Sequence, residues 1–337
     1  MVFTRPAPDS LISTNGKPSY GHFDGIPNRI NTQRFDYRNS MDKPAGRLAK
    51  YFHYKQFQFV SIKTPRYVIG LALADIRYLG SSFCYIYDVE NDSIKEHSWL
   101  RPLWFSKKMT ASPFSGTSQI AGGKLRFDIS HGQWHMTVQN HSLTLDVTLH
   151  CQPTSLPLSV CTPTAYSGWT YTQKHNALSV TGTLEVDGTS VDLDHALASY
   201  DFSAGYMRRE TSWRWASINT GDGQNSLGLN LAAGVNETGS CENALWVNGN
   251  RHLLNPVHFT FDRDHIKQNW HIHSEDGRIE LQFTPINQRS EKLNLLLLKS
   301  NFRQFIGHFS GFVIDTKGEK HLFNRVLGLT EDHYAKW

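Results

Sequence analysis

Apolar and polar residues alternate with period two along most of this chain, the pattern of strands with one buried face. "SLTLDVTLHC" sets Leu143, Leu145, Val147 and Leu149 on one face, and "GKLRFDIS" does the same with Leu125, Phe127 and Ile129. Four hairpins punctuate the pattern. Asp187-Gly188 joins the two strands of "ALSVTGTLEVDGTSVDL", and Asn248-Gly249 joins those of "LWVNGNRHLL". Looser turns are expected at Asp276-Gly277 and Lys317-Gly318, because these residue pairs tolerate the positive φ of a tight turn. "SIKTPRYVIGLALADIRYLGSSFCYIYD" reads as three further strands, with Asp75 and Arg77 sharing a face in an apolar region, either as a buried structural pair, the favoured reading, or as part of a cavity lining.

Helical periodicity is scarce. A short helix is expected near Lys43–Tyr51, and a C-terminal one in "LTEDHYAKW", capped by Thr330 with Glu331 and Asp332 in its first turn. Prolines interrupt the alternation in "CQPTSLPLSVCTPTAYSG". The expected division is therefore a 1–19 extension, a domain over 20–155 and a second over 156–337. Strands returning at even pitch predict an all-β fold of two consecutive antiparallel barrels or curled sandwiches with a short C-terminal helix. A barrel of about eight or more strands has room for a ligand.

Composition narrows the partners. Aromatics reach 12%, which suits strands and pocket walls. A net charge of +4, with acids interleaved among the bases, leaves no basic stripe for nucleic acid. The longest apolar run, "LNLLLLK" from Leu293, is a buried-strand length and far below the ~18 residues of a membrane span. Four cysteines without CxxC spacing fit a reduced, cytoplasmic setting.

The densest chemistry lies in "YDFSAGYMRRETSWRWAS". Read as a strand, it places Arg209, Thr211, Trp213, Trp215 and Ser217 on one face. Arg208, Glu210, Ser212, Arg214 and Ala216 form the other, a solvent or seam face where Glu210 can pair with Arg208 or Arg214. Two readings of the tryptophan face stand side by side: a pocket wall carrying Arg209, or a structural plug of indole packed under arginine. Asp201, after which Ser203–Gly205 breaks the pattern, is expected near a rim. "CENALWVNG" adds Glu242, Asn243 and Trp246 on a neighbouring strand, with Glu242 as a second carboxylate or as an arginine's partner. Asn230 in "LGLNLAAG" requires a hydrogen-bond partner.

His271 and His273 have the spacing of some zinc ligands, but both face solvent beside inward Trp270 and Ile272. Asp262 and Asp264 lack a calcium-loop pattern. No metal and no cofactor are expected. GxSxG, P-loop and strand-anchored GxGxxG motifs are absent.

"VCTPTAYSGWTYTQKHNALSVTGTLEVDG", "YDFSAGYMRRETSWRWAS", "GLNLAAG", "ENALWVNG", "GRIELQFTP" and "GLTEDHYAKW" together resemble a large bacterial family of lipocalin-like proteins known as a domain of unknown function. The likeness runs from Tyr20 to Trp337. More distantly, "YTQ…LSVTGTLEVDG" followed by Asp201 and Gly205 is similar to the carotenoid 1,2-hydratases (hydroxyneurosporene synthases). In that pattern an aromatic precedes the glycine; here Ser203-Ala204 stands instead. The resemblance implies two lipocalin-like domains with a ligand site near their junction. It implies an elongated isoprenoid-like or acyl-like molecule, and hydratase, isomerase or cyclase chemistry with Asp201 as proton donor. A carboxyl group in an apolar cavity holds its proton at neutral pH, and the faces of Tyr206, Trp213 and Trp215 would shelter a cation. The competing expectation is a non-catalytic carrier whose Arg209 grips a lipid's anionic head. A third is an interaction module in which the tryptophan strand is core.

Overall fold

A computed structural model describes residues 2–103, 105–222, 225–237, 239–295 and 298–337. The chain is nearly all β and divides into two compact units, Phe3–Met207 and Arg208–Trp337.

In the first unit the sheet's main path begins with Ser93–Pro102, Leu79–Asp88, Tyr67–Asp75 and Lys55–Lys63. It continues through Leu197–Gly205, Gly168–Val186, Leu143–His150, Gln133–Gln139 and Leu125–Ser130, and ends at Gly116–Ile120 and Lys107–Lys108. All these neighbours are antiparallel. Leu79–Asp88 approaches Gly116–Ile120 from the opposite end of the path, so the sheet is a nearly closed barrel. Its inner face carries one core cluster, including Val60, Ile62, Leu71, Trp134, Leu145, Tyr171 and Phe202.

The second unit is a nine-stranded antiparallel half-barrel. Its order is Asn250–Leu253, Ala244–Val247, Asn225–Ala233, Glu210–Asp222, Lys320–Lys336, Leu298–Ile314, Ile279–Leu295, Trp270–His273 and His258–Thr260. Ala216, Ile218, Leu229, Leu231, Trp270, Phe305 and Phe309 form its inner core.

All four expected hairpins form, with positive φ at Asp187, Gly188, Asn248, Gly249, Gly277 and Gly318. The expected early helix is Arg47–His53. The C-terminal helix is corrected: Lys320–Lys336 is a strand, paired along its length with Glu210–Asp222 and Leu298–Ile314. Pairing on two sides outweighs the local cap signal, and Thr330, Glu331 and Asp332 are all buried in the sheet.

The division near 155 is also corrected. Leu158–Thr164 is a strand of the first unit, paired with Gly168–Val186 and Gly21–Asp24, and its proline lies within the strand. The expected 1–19 extension is not separate over residues 3–19, since Leu11 and Ile12 are wholly buried in the first core and Thr4–Pro6 pairs in parallel with Gly21–Asp24. "LNLLLLK" is no buried strand either: Leu295 is exposed, and Leu296 and Leu297 lie outside the described residues. The cysteines are all free thiols. Among the described residues no helix is long and apolar enough to cross a membrane.

Candidate functional site

One cross-strand rung of the first barrel concentrates the polar chemistry. Direct register partners run Trp99–Ser82–Leu73–Gln58–Phe202–Gln173, so these side chains share the inner face. From Ser82 to Gln173 each is 0% exposed. Gln173 is satisfied: its Nε2 donates to Tyr200 Oη (2.8 Å), and its Oε1 accepts from Tyr171 Oη (3.0 Å). Ser159 Oγ lies 2.9 Å from the same Tyr171 hydroxyl. Burial raises both tyrosines above the usual phenol range, so they remain neutral donors.

Gln58 differs. Neither its Nε2 nor its Oε1 has a hydrogen-bond partner, and the Ser82 hydroxyl has none. A buried polar group left unpaired costs about 1–3 kcal/mol, and Gln58 presents one donor group and one acceptor. Around the rung stand Val60, Leu71 and Trp134, the last stacked on Tyr200 at 4.7 Å with 16° between the planes.

An aromatic plug lies further along the same inner face. Phe35, Tyr37, Tyr54, Trp169 and Tyr206 pack ring against ring, with centroids 4.5–6.4 Å apart. The Arg77 guanidinium carbon sits 4.7 Å from the centroid of the Tyr54 ring. Burial pushes Tyr206 up to about 12, with Arg77 opposing. The expected Asp75–Arg77 pair is present, and Lys107 Nζ joins it at 2.7 Å from Asp75.

Asp201 is not on a rim loop. It lies mid-strand on the face away from the core, in the row Lys174–Asp201–Phe59–Ala72–Phe83. Its carboxylate is the counter-ion of buried Lys174 and accepts from Ser203 Oγ at 3.0 Å.

The remaining candidates belong to the second unit, together with the tryptophan strand. Arg209 is exposed, its carbonyl accepting from the Trp337 backbone. Trp213 Nε1 donates to Glu331 (3.2 Å), and Trp215 Nε1 donates to Asn230 Oδ1 (2.7 Å). Asn230 Nδ2 in turn donates to the Glu242 carbonyl (2.6 Å). Asn243 Oδ1 accepts from the Ala232 backbone, and Glu242 Oε1 accepts from Asn236. Trp246 is fully buried on the face bearing Asn230. These residues lie close together, and the Trp213, Trp215, Asn230 and Asn243 side chains find partners within the unit.

The assignment of the two strand faces is corrected. Ala216 and Ile218 face the apolar core, so the face read as solvent is the inner one, and Trp213 and Trp215 lie opposite. The expected Glu210 partners change too: Glu210 pairs with Lys336, Arg208 with Glu237, and Arg214 with Asp332. His271 pairs with Glu280 at the surface, in an open depression lined by Asn269, Gln282 and Ser310. One set of metal-capable groups, Asp315, Glu319 and His321, occupies a hairpin turn where Asp315 accepts the Lys317 and Glu319 backbone N–H groups.

Sequence reasoning missed Gln58, Ser82 and Gln173. In "KQFQFVSIK" the eye follows Phe57 and Phe59, yet the glutamines are in phase with Val60 and Ile62. That phase was the available signal.

Solved structures share the fold at low identity. CghA with Sch210972 aligns over 83% of this chain and 88% of its own, with 8% identity and a TM-score of 0.54. A protein provisionally assigned as AttH from Nitrosomonas europaea aligns over 88% and 98%, with 12% identity and a TM-score of 0.50. Kievitone hydratase from Nectria haematococca aligns over 83% and 88%, with 10% identity and a TM-score of 0.46. No curated protein sequence matches the chain. Residues 5–337 match the model of DUF2804, a domain of unknown function.

Proposed function

We propose, for a chain that belongs to the DUF2804 family, that it binds an elongated, largely apolar small molecule on the inner face of the first barrel. The molecule carries a neutral hydroxyl or carbonyl group held by Gln58. The observation that supports this is the Gln58 amide, wholly buried with both ends unpartnered in a wall otherwise made of Val60, Leu71, Leu73 and Phe202. A hydroxyl satisfies an amide's donor and acceptor together, and Ser82 stands on the same rung. Apolar walls with a few placed polar groups are the usual composition of small-molecule sites.

The ion pair with Lys174 favours a structural part for Asp201 over proton transfer, so the reading is restricted to binding. Titration of the full chain with decan-1-ol and with decane, followed by tryptophan fluorescence, tests it. Trp134 lies beside the rung and reports occupancy. Saturable binding of the alcohol, about tenfold or more tighter than the alkane, is expected from one or two buried hydrogen bonds. Equal affinity, or no binding of either, would remove Gln58 from the account.

A further inference from the structure

On the inner face of the second unit, three arginines converge on one carboxylate. Arg214 and Arg303 are the direct cross-strand partners of Asp332 from its two sides. Arg303 reaches it at 2.8 Å, and the Arg214 ion pair measures 3.3 Å. Arg263 arrives on the segment after the edge strand His258–Thr260 and bonds both carboxylate oxygens, at 2.9 and 3.2 Å. Asp332 is the only carboxylate within ion-pair distance of these three among the described residues, so the cluster carries an excess of two positive charges.

A lone aspartate does not need three arginines, and gathering like charges in a part-buried place is unfavourable. Further polar groups there lack partners. Arg303 Nε has none, and one rung below, the Thr330 hydroxyl is 0% exposed and unpartnered. Thr330 stands between Ala216 and Phe305 in register, and Phe305 meets Trp270 edge to face at 5.1 Å. Phe261 stacks on Trp270 at 3.9 Å and lies under Arg263. Guanidinium forks, a hydroxyl and an aromatic floor are therefore adjacent.

We propose that Arg214, Arg263, Arg303 and Thr330 form an anion-binding subsite for the carboxylate, phosphate or sulfate group of a small molecule. Arg303 and Thr330 supply the buried donors, and planar guanidinium groups match the geometry of oxyanions. Asp332 is a positioning residue that holds the three forks pointed at one place. The subsite is independent of the Gln58 rung, and it supplies the anion grip that the sequence had placed on exposed Arg209.

The test is thermal denaturation of the full chain titrated with sodium sulfate, sodium phosphate and sodium decanoate, each against sodium chloride at matched ionic strength. A saturable rise in melting temperature is expected. A rise with all three anions identifies a free oxyanion site, whereas a rise with decanoate alone identifies the head of an apolar molecule. Thr330→Val keeps the shape of the side chain and removes only the hydroxyl, so it guards against a folding defect in Arg303→Gln. Each variant should weaken binding by about tenfold. No saturable shift beyond chloride, or variants that bind as tightly as the native chain, would overturn the proposal.

Discussion

The inner faces of the two units bury polar groups in opposite ways. The first barrel sets neutral amides and hydroxyls in an apolar wall and leaves Gln58 and Ser82 unpartnered. Away from that wall its buried carboxylates meet one cation, as in Lys174–Asp201, or two, as where Arg77 and Lys107 meet Asp75. The half-barrel oversupplies cations, three to one carboxylate. A neutral orphan selects a neutral guest group, and an excess of guanidinium selects an anion. The same period-two sheet thus presents two different chemistries, set by which polar residues fall in phase with the core.

The sharpest way to break the contrast is to remove one member of the one-to-one pair. Lys174→Met strands the Asp201 carboxylate and should cost about 3–5 kcal/mol in urea denaturation, with Asp201→Leu added to it recovering much of the loss. A small loss would mean the pair is not the barrel's structural clasp.

A smaller effect is expected at His333. Burial presses this imidazole down to about 3, Arg289 adds to the shift and Asp332 opposes it. The ring is packed on Trp213 at 4.2 Å and lies 2.9 Å from Ser300 Oγ. Between pH 3 and the ordinary histidine value the unfolded chain binds the extra proton, so stability rises with pH across that window and falls as acid is added. His333→Gln should flatten this acid-side slope, read as melting temperature from pH 6.5 to 3.5. Parallel slopes would show that other groups carry it.

The smallest change belongs to Arg263→Ala. Half-exposed Arg263 leaves Asp332 two other arginines, so the loss should be about 1 kcal/mol or less by the same denaturation measurement. A cost rivalling Lys174→Met would erase the distinction between the two units.

The strand content, the four hairpins and the early helix were legible because turn residues and period-two alternation act locally. The C-terminal strand was not, since Thr330, Glu331 and Asp332 mimic a helix cap and only pairing with distant strands decides the outcome. Which face of "ETSWRWAS" is inner was hidden by its tryptophans. Reading on to Ile218 would have put Arg214 in phase with Ala216 and Ile218. Asp201 was singled out by a pattern, but its partner Lys174 lies one strand away in space and 27 residues away in sequence. Gln58 was masked by flanking phenylalanines.

The most direct test of the Gln58 rung is native mass spectrometry of the full chain, purified without organic solvent, beside its Gln58→Leu variant. Retention of one neutral, apolar molecule by the native chain and its loss from the variant is the predicted result. Equal retention by both, or an empty native chain that also fails to take up decan-1-ol, would contradict it.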